Sequence, residues 1–428
     1  MSAAAIPAAG PVAAYRRDWL PELGALLALA VAATVVFAVS DLDIAAARAF
    51  YRPGRGDPWP VAGQPLWLLF YKSAPWVTGS LAAAGVGLLV AGTVRPAGRR
   101  RLHGAFILLC VIVGPGLIVN GILKDHWGRP RPRQIVEFGG RFPYAPPLSP
   151  APARGKSFPC GHCSVGYLYA AGWWLWRRRR PRRAAASLTA GLVLGTLLGI
   201  GRMAAGAHFL SDVVWSGLIA LGTAHALYYH ALRIPAREDS RADIYPLIEG
   251  RPRARAAAIA AAVVLGLAIA AGGLFATPHR TDLAARIRPA DLPTSPEEID
   301  VRVDTLDVEI RLVADPSGEI GFDGSVQGFG LPTSEILARW TFDRHPVPTL
   351  RYRVAETGWF PDIDGVLRIR IPVRGLRRIT VRAARGDIDV TDATGTAAGA
   401  RLPILDLRTG NGRVRRAVAG RPASVPGT

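Results

Sequence analysis

Six apolar stretches long enough to cross a bilayer punctuate the first two thirds of this chain, at roughly 19–40, 73–94, 102–123, 184–201, 210–232 and 256–276. A shorter apolar run occupies 160–176. A spanning helix needs about 20 residues, so the short run must start at its own first motif, Pro159-Cys160-Gly161-His162, and the pattern predicts about seven helices. Half of the 428 residues are hydrophobic and the net charge is +20. A basic balance also suits a nucleic-acid binder. Here the cations are collected between apolar runs, which points to a multi-span membrane protein.

The basic segments fix an expected topology. Arg95 to Arg101, the run Arg177 to Arg183, and Arg233 to Arg255 fall on one side if the helices alternate, together with Arg16 and Arg17. The positive-inside rule makes that side cytoplasmic. Residues 1–18 read as a cytoplasmic tail and the first span as a retained signal anchor, because no small-residue cleavage site follows it. The loops 41–72, 124–159 and 202–209 then share the extracytoplasmic face. The 124–159 loop is itself basic, through Lys124, Arg129, Arg131, Arg133, Arg141, Arg154 and Lys156.

Beyond residue 276 the pattern changes. Residues 300–312 and 366–373 alternate with period two, and Ile379-Thr-Val-Arg382 precedes Gly386-Asp-Ile-Asp-Val390. Short alternating runs broken by Gly, Pro and Asp predict a β-rich soluble domain. It has a pattern-level likeness to bacterial adhesin β domains. The expected organisation is therefore a 1–18 tail, a 19–233 membrane domain, a basic cytoplasmic loop over 234–255, a seventh transmembrane helix at 256–276, and an extracytoplasmic β-rich domain over 277–428. In fold class this is an all-α polytopic membrane domain followed by an all-β soluble domain. The tail from Arg415 reads as frayed.

Three short motifs carry chemistry. His208 and Asp212 are four apart, one face of a helix, where a carboxylate could fix the imidazole tautomer and leave the other ring nitrogen as a nucleophile. Taken alone, the pair also reads as a helix-end histidine with a capping aspartate. Arg202, six residues earlier, could fork onto a phosphoryl oxygen. Lys124 and Arg131 end an apolar run, where cations can simply snorkel. Asp125, His126, Arg129 and Arg133 read as loop packing or solvated charge. In the middle motif Gly161 allows close backbone approach, and the Cys160 and Gly161 amides would lie at a helix N-terminus, a place that favours anions. Cys160-Gly-His-Cys163 also matches a thiol–disulfide exchange motif, but that chemistry needs a thioredoxin-like βαβ unit and this segment runs on into a span. Three cysteines, with Cys110, are too few for a disulfide framework.

Together, Lys124-x6-Arg131-Pro132, Pro159-Cys160-Gly161-His162 and Arg202-x5-His208-x3-Asp212 resemble the type 2 phosphatidic acid phosphatase superfamily over residues 20–232, its membrane lipid phosphatase branch. Cys160 departs from the pattern, which has serine there; it keeps the amide but offers only a weak thiol donor. The resemblance implies a six-helix core in which His208 attacks phosphorus and forms a phosphohistidine. Asp212 would orient it, and His162 would protonate the leaving group. Lys124, Arg131, Arg202 and the Cys160 and Gly161 amides would hold the phosphoryl oxygens. No metal and no cofactor is implied, since arginine and lysine supply the charge that Mg²⁺ supplies in kinases. The implied substrate is a lipid phosphomonoester or diphosphate: phosphatidic acid, phosphatidylglycerol phosphate, undecaprenyl diphosphate or the phosphates of lipid A. The partners are that lipid and the bilayer of a cell (inner) membrane, with no nucleic acid. A lipid phosphotransferase on the same fold and a membrane-anchored β-domain binding module are the alternatives. A vanadium-dependent haloperoxidase shares the site residues, but those enzymes are soluble.

Overall fold

The computed structural model describes residues 19–53, 58–95, 97–140, 142–150, 155–239, 251–274, 277–315, 317–360, 362–393 and 402–418. The expectations for the 1–18 tail and for residues 240–250 of the 234–255 loop lie outside the described residues. Contacts divide the described chain into a helical unit, up to Gly273, and a β unit that begins at Leu274.

The helical unit contains α1 (Trp19–Val39), α2 (Leu42–Arg48), α3 (Pro65–Val94), α4 (Gly98–Val111), α5 (Lys124–Trp127), α6 (Gly161–Tyr167), α7 (Gly172–Trp176), α8 (Pro181–Ala204), α9 (Leu210–Ala226), α10 (Ile234–Asp239) and α11 (Pro252–Leu274). A π-helical stretch, Ile112–Leu123, joins α4 to α5 without a break. Among the described residues six helices are long and apolar enough to cross a membrane: Trp19–Val39, Pro65–Val94, Gly98–Leu123, Pro181–Ala204, Leu210–Ala231 and Pro252–Gly272. The short apolar run is helical too, as α6, a 3-10 turn over Leu168–Ala171, and α7, and its first helical residue is Gly161. Leu27, Leu29, Val31 and Val35 on α1, and Val264 and Leu267 on α11, are exposed, as a lipid-facing surface requires.

Two features were not visible in the apolar pattern. The 41–72 segment is not a plain loop, because α2 forms within it and α3 starts at Pro65, with proline in the first turn where its missing N–H costs nothing. In the basic run, Arg177 pairs with Glu22 of α1 and with the Tyr229 hydroxyl, so this cation also ties helices together.

The β unit comprises β1 (Thr277–Asp282), β2 (Ala285–Ile287), β3 (Glu298–Thr305), β4 (Asp307–Val313), β5 (Ile320–Gly330), β6 (Glu335–Asp343), β7 (Thr349–Thr357), β8 (Asp362–Pro372), β9 (Arg378–Arg385), β10 (Ile388–Ala393), β11 (Ile404–Asn411) and β12 (Val414–Val418). The segment from Arg415, expected to fray, is strand through Val418, because it pairs in parallel with β10. One sheet runs β1-β5-β8-β4-β10-β12 with β2 beside β5; the other runs β11-β9-β3-β7-β6. The chain alternates between the sheets, so β7–β8, β3–β4, β9–β10 and β11–β12 form stacked, mutually parallel rungs. The corner between β9 and β10 needs Gly386, at φ 119°, since a Cβ there would sit 2.1 Å from the Leu306 carbonyl oxygen. The inward residues of every rung, among them Val301, Val308, Ile310, Leu367, Ile369, Ile379 and Ile388, make one apolar core.

Candidate active site

The three motifs meet because two turns hold them. Gly206 at φ 61° makes the turn after α8, and a Cβ on it would lie 2.4 Å from the Trp59 ring. The Gly206 carbonyl accepts the Arg133 N–H at 3.1 Å, which pins the first-motif loop to the third motif. Ser157, in the loop before the middle motif, is the second anchor: its N–H donates to the Arg129 carbonyl at 3.0 Å, and its hydroxyl donates to Asp212 Oδ2 at 2.6 Å.

His208 is buried, 3% exposed, and its Nδ1 lies 2.6 Å from the Ser157 carbonyl oxygen. A carbonyl only accepts, so Nδ1 carries the proton and Nε2 keeps its lone pair. Asp212 Oδ2 stands 3.6 Å from the same Nδ1, beyond hydrogen-bonding distance. The sequence expectation that Asp212 itself bonds the ring is corrected to that extent: the main chain of Ser157 sets the tautomer, and Asp212 acts on it through space. Burial is the largest influence on the His208 pKa and holds it down at about 4 from 6.5, with Arg202 and Arg131 also lowering it and Asp212 opposing.

Asp212 is fully committed. Oδ2 accepts the Phe209 N–H at 2.8 Å, which caps α9, and Oδ1 accepts Arg129 Nη1 at 2.5 Å. Both readings of this residue, helix cap and partner of His208, describe the same carboxylate.

Arg129, expected to be loop packing or solvated charge, packs and is not solvated, for it is completely buried. Its Nε donates to the Ala145 carbonyl, Nη1 to the Ser211 hydroxyl and Asp212, and Nη2 to Asp43 at 2.8 Å. Asp43, on α2, takes the Ser211 N–H on Oδ1, and the Ser211 and Tyr144 hydroxyls on Oδ2. Two carboxylates and one guanidinium thus share a closed network in which every donor is used, the condition a buried ion pair needs. The sequence offered no spacing signal for it, since Asp43 lies 86 residues from Arg129.

The other cations surround the histidines. Arg131 and Arg202 are buried, and the Arg202 guanidinium lies 4.7 Å from the Tyr71 ring centroid. His162, 7% exposed, stacks on Tyr71 at 6.1 Å. Arg202, Lys124 and His208 bear electrostatically on His162, as Arg202 and Arg131 do on His208. His126 Nδ1 donates to the Ile122 carbonyl one turn back, and the side chain is exposed. Among the described residues no three His, Cys, Asp or Glu side chains group as metal ligands would.

The middle motif departs from expectation most. Cys160 and Cys163 form a disulfide, so Cys160 offers no thiol donor; Cys110 is a buried free thiol. Cys160 caps α6, and its N–H reaches the Asp212 carbonyl at 3.4 Å instead of facing outward. A Cβ on Gly161 would stand 3.0 Å from Asn120 Oδ1, so a larger residue would press on that side chain. Asn120 is held in place by donating to the Pro115 carbonyl, an i to i−5 bond that the π-helical stretch makes possible. In the loop between the first two motifs, Phe138 packs edge-on against Trp59 and Tyr51.

The family model described as PAP2 superfamily matches residues 104–234. A lipid A 4'-phosphatase of Francisella tularensis subsp. novicida is 40% identical over 129 residues, 29% of this chain and 57% of the relative. Another, of Rhizobium leguminosarum, is 39% identical over 117 residues, 26% of this chain and 47% of the relative. The chain thus spans about half the length of the curated relatives it matches. A solved cell adhesion protein from Clostridium sporogenes aligns over 33% of this chain and 99% of its own at 6% identity and a TM-score of 0.19, a likeness that carries no argument.

Proposed function

We propose that the chain is a membrane lipid phosphatase of the PAP2 superfamily, whose model matches residues 104–234, and that it hydrolyses a phosphomonoester on a lipid through a phosphohistidine. The observation that carries the reading is the buried His208, whose Nδ1 proton is given to a carbonyl and whose Nε2 is left nucleophilic among Arg131, Arg202, Lys124 and His162.

In the first step His208 Nε2 forms a bond to phosphorus as the ester P–O bond breaks, and the departing alkoxide takes a proton from His162. The dianionic phosphate favours the charged form of His162 on binding, which readies it as the acid. Lys124, Arg131 and Arg202 hold the phosphoryl oxygens, so charge is stabilised where it develops. His162 then takes a proton from water, the hydroxide attacks phosphorus, the P–N bond breaks, and His208 is regenerated with inorganic phosphate. Asp212 supports the positive charge that grows on His208, and Arg129 with Asp43 fixes Asp212. Gly161 and the first amides of α6 give the anion a helix N-terminus.

The lipid A 4'-phosphatase relatives support lipid A as the substrate. The extracytoplasmic orientation draws support from the basic segments and from the Cys160–Cys163 disulfide, a bond that persists in oxidising compartments.

The test is phosphate release by the detergent-solubilised full chain from lipid A, phosphatidic acid and undecaprenyl diphosphate, in EDTA, beside His208→Ala. Release that survives EDTA and vanishes in the variant is expected, as is an acid-labile, base-stable radiolabelled adduct in wild type only. A radiolabel found on a second lipid, with no free phosphate, would make the chain a phosphotransferase instead.

A further inference from the structure

Both histidines of the candidate site lean on a main-chain carbonyl. For His208 it belongs to Ser157. For His162 it belongs to Tyr71 on α3, to which the imidazole donates. Inside an α-helix a carbonyl is ordinarily taken by the N–H four residues on. Four residues after Tyr71 stands Pro75, within the unbroken α3, and proline has no N–H to give. Its ring also crowds the carbonyl four residues back. The sequence thus withdraws the helix's own donor from one carbonyl, and His162 takes that donor's place. A buried carbonyl left without any donor would be costly.

Tyr71 holds a second part of the site. Its ring stacks on His162 with centroids 6.1 Å apart, and its centroid lies 4.7 Å from the Arg202 guanidinium. A guanidinium on an aromatic face keeps its charge and its in-plane N–H fork for another ligand, whereas a carboxylate would occupy both. Two contacts fix this part of α3 independently of His162. A Cβ on Gly201 of α8 would lie 3.4 Å from the Trp67 carbonyl oxygen and 3.7 Å from the Tyr71 nitrogen, so the two backbones run close. Further along α3, the Val77 carbonyl accepts the Tyr169 hydroxyl at 3.3 Å, which sets α3 against the run that begins with α6.

We propose that Pro75 and Tyr71 are positioning residues for the leaving-group acid. Pro75 frees the Tyr71 carbonyl, the carbonyl aims the His162 ring, and the Tyr71 ring seats Arg202 beside it. One nitrogen of His162 donates to Tyr71 while the other delivers its proton to the departing alkoxide, so nothing is consumed at α3. The proposal rests on the phosphatase reading and adds to it residues that none of the three motifs contains.

The test compares two phosphomonoesters on the detergent-solubilised full chain. Lipid A has an alkoxide that leaves only with a proton, whereas the phenolate of p-nitrophenyl phosphate leaves unaided. Pro75→Ala supplies the missing N–H, which competes with His162 for the Tyr71 carbonyl. It should slow release from lipid A at least about ten-fold, a part of the roughly 100- to 10,000-fold that acid catalysis supplies. Release from p-nitrophenyl phosphate should stay within about three-fold of wild type. Alanine suits a helix interior better than proline, so the unfolding midpoint should hold or rise. A fall on both substrates alike, or on neither, overturns the proposal. Tyr71→Leu keeps the carbonyl and loses the ring; it should weaken inhibition by inorganic phosphate roughly five-fold, and Tyr71→Phe should recover it. If the phenylalanine variant fares no better than the leucine one, the ring's role falls. A spectroscopic reading needs no turnover. In NMR spectra of isotope-labelled histidines, assigned with His162→Gln, the His162 ring N–H should exchange slowly with water in wild type and quickly in Pro75→Ala. Equal exchange in the two overturns the role of Pro75. A wild type that releases no phosphate from any lipid phosphate would end the phosphatase reading, with the imidazole signal still deciding whether Pro75 governs His162.

Discussion

The two units place charge in opposite ways. The helical unit buries Asp43, Arg101, Arg129, Arg131, Arg202, His162, His208 and Asp212, whereas the β unit, among its described residues, buries only Gln327 and Ser334 as polar side chains and keeps its arginines outside. Burying a charge is costly unless it is paired and hydrogen-bonded, and all of these but Arg101 belong to the candidate site. The helical unit is organised around such a site, and the β unit around an apolar core with a charged skin. Substitutions should therefore act through different physics in the two.

The largest effect is expected at Arg129→Leu. It strands two buried carboxylates and should destabilise the helical unit by about 3–5 kcal/mol, read as a fall in the detergent unfolding midpoint together with lost phosphate release. If Arg129→Leu unfolds no more easily than wild type, the closed network is not what holds α2 to α9.

In the β unit the comparable lesion is a cavity. Ile369→Ala, at a position 1% exposed in the core, should cost about 2–5 kcal/mol in that unit's transition, with lipid phosphate release in detergent retained. Loss of both would mean that the units do not unfold independently.

Cutting the Cys160–Cys163 link tests a smaller term. A closed loop this short restricts the unfolded chain by only about 2 kcal/mol, so Cys160→Ser with Cys163→Ala should unfold slightly earlier. Its phosphate release measures what the serine of the family pattern does at this position.

The pH dependence of stability is the next sharpening. His208 binds a proton at the ordinary histidine value of 6.5 when unfolded but only at about 4 when folded. The unfolded state therefore holds more protons between those values, and stability, complete above pH 6.5, falls as pH drops through about 4. His208→Gln, which cannot take up that proton, should flatten the slope between pH 6.5 and 4.5 in unfolding titrations. The smallest effect is reserved for the surface. Arg368→Ala loses its ion pair with Glu309, both partners about two-fifths exposed, and should cost less than about 1 kcal/mol.

How far the sequence could be read follows the same division. Apolar length and basic flanks located the spans, because crossing a bilayer imposes a one-dimensional rule. The motif residues were legible because their spacings are local. Arg129 and Asp43 were not, since a buried pair formed across 86 residues leaves no periodic trace and Arg129 resembles its solvated neighbours. Period-two alternation announced strands but not their stacking. The repeat was present as Val301-Arg302-Val303, Tyr352-Arg353-Val354, Val381-Arg382-Ala383 and Leu407-Arg408-Thr409, but the unequal distances between these triplets hid it. The disulfide was legible only as two cysteines three apart, a spacing that also suits free thiols.

The rungs have a colloidal consequence. A stack of parallel strands ends in a sheet edge that could template another copy of itself, growing into fibres in place of a closed domain. Along the described strands the last rung, β11–β12, is flanked on one side only, and it and its corner carry Arg408, Arg413, Arg415 and Arg416. Two such ends repel each other. Neutralising these four arginines should leave the domain folded while raising its tendency to associate edge to edge, read as a hydrodynamic radius that grows with concentration.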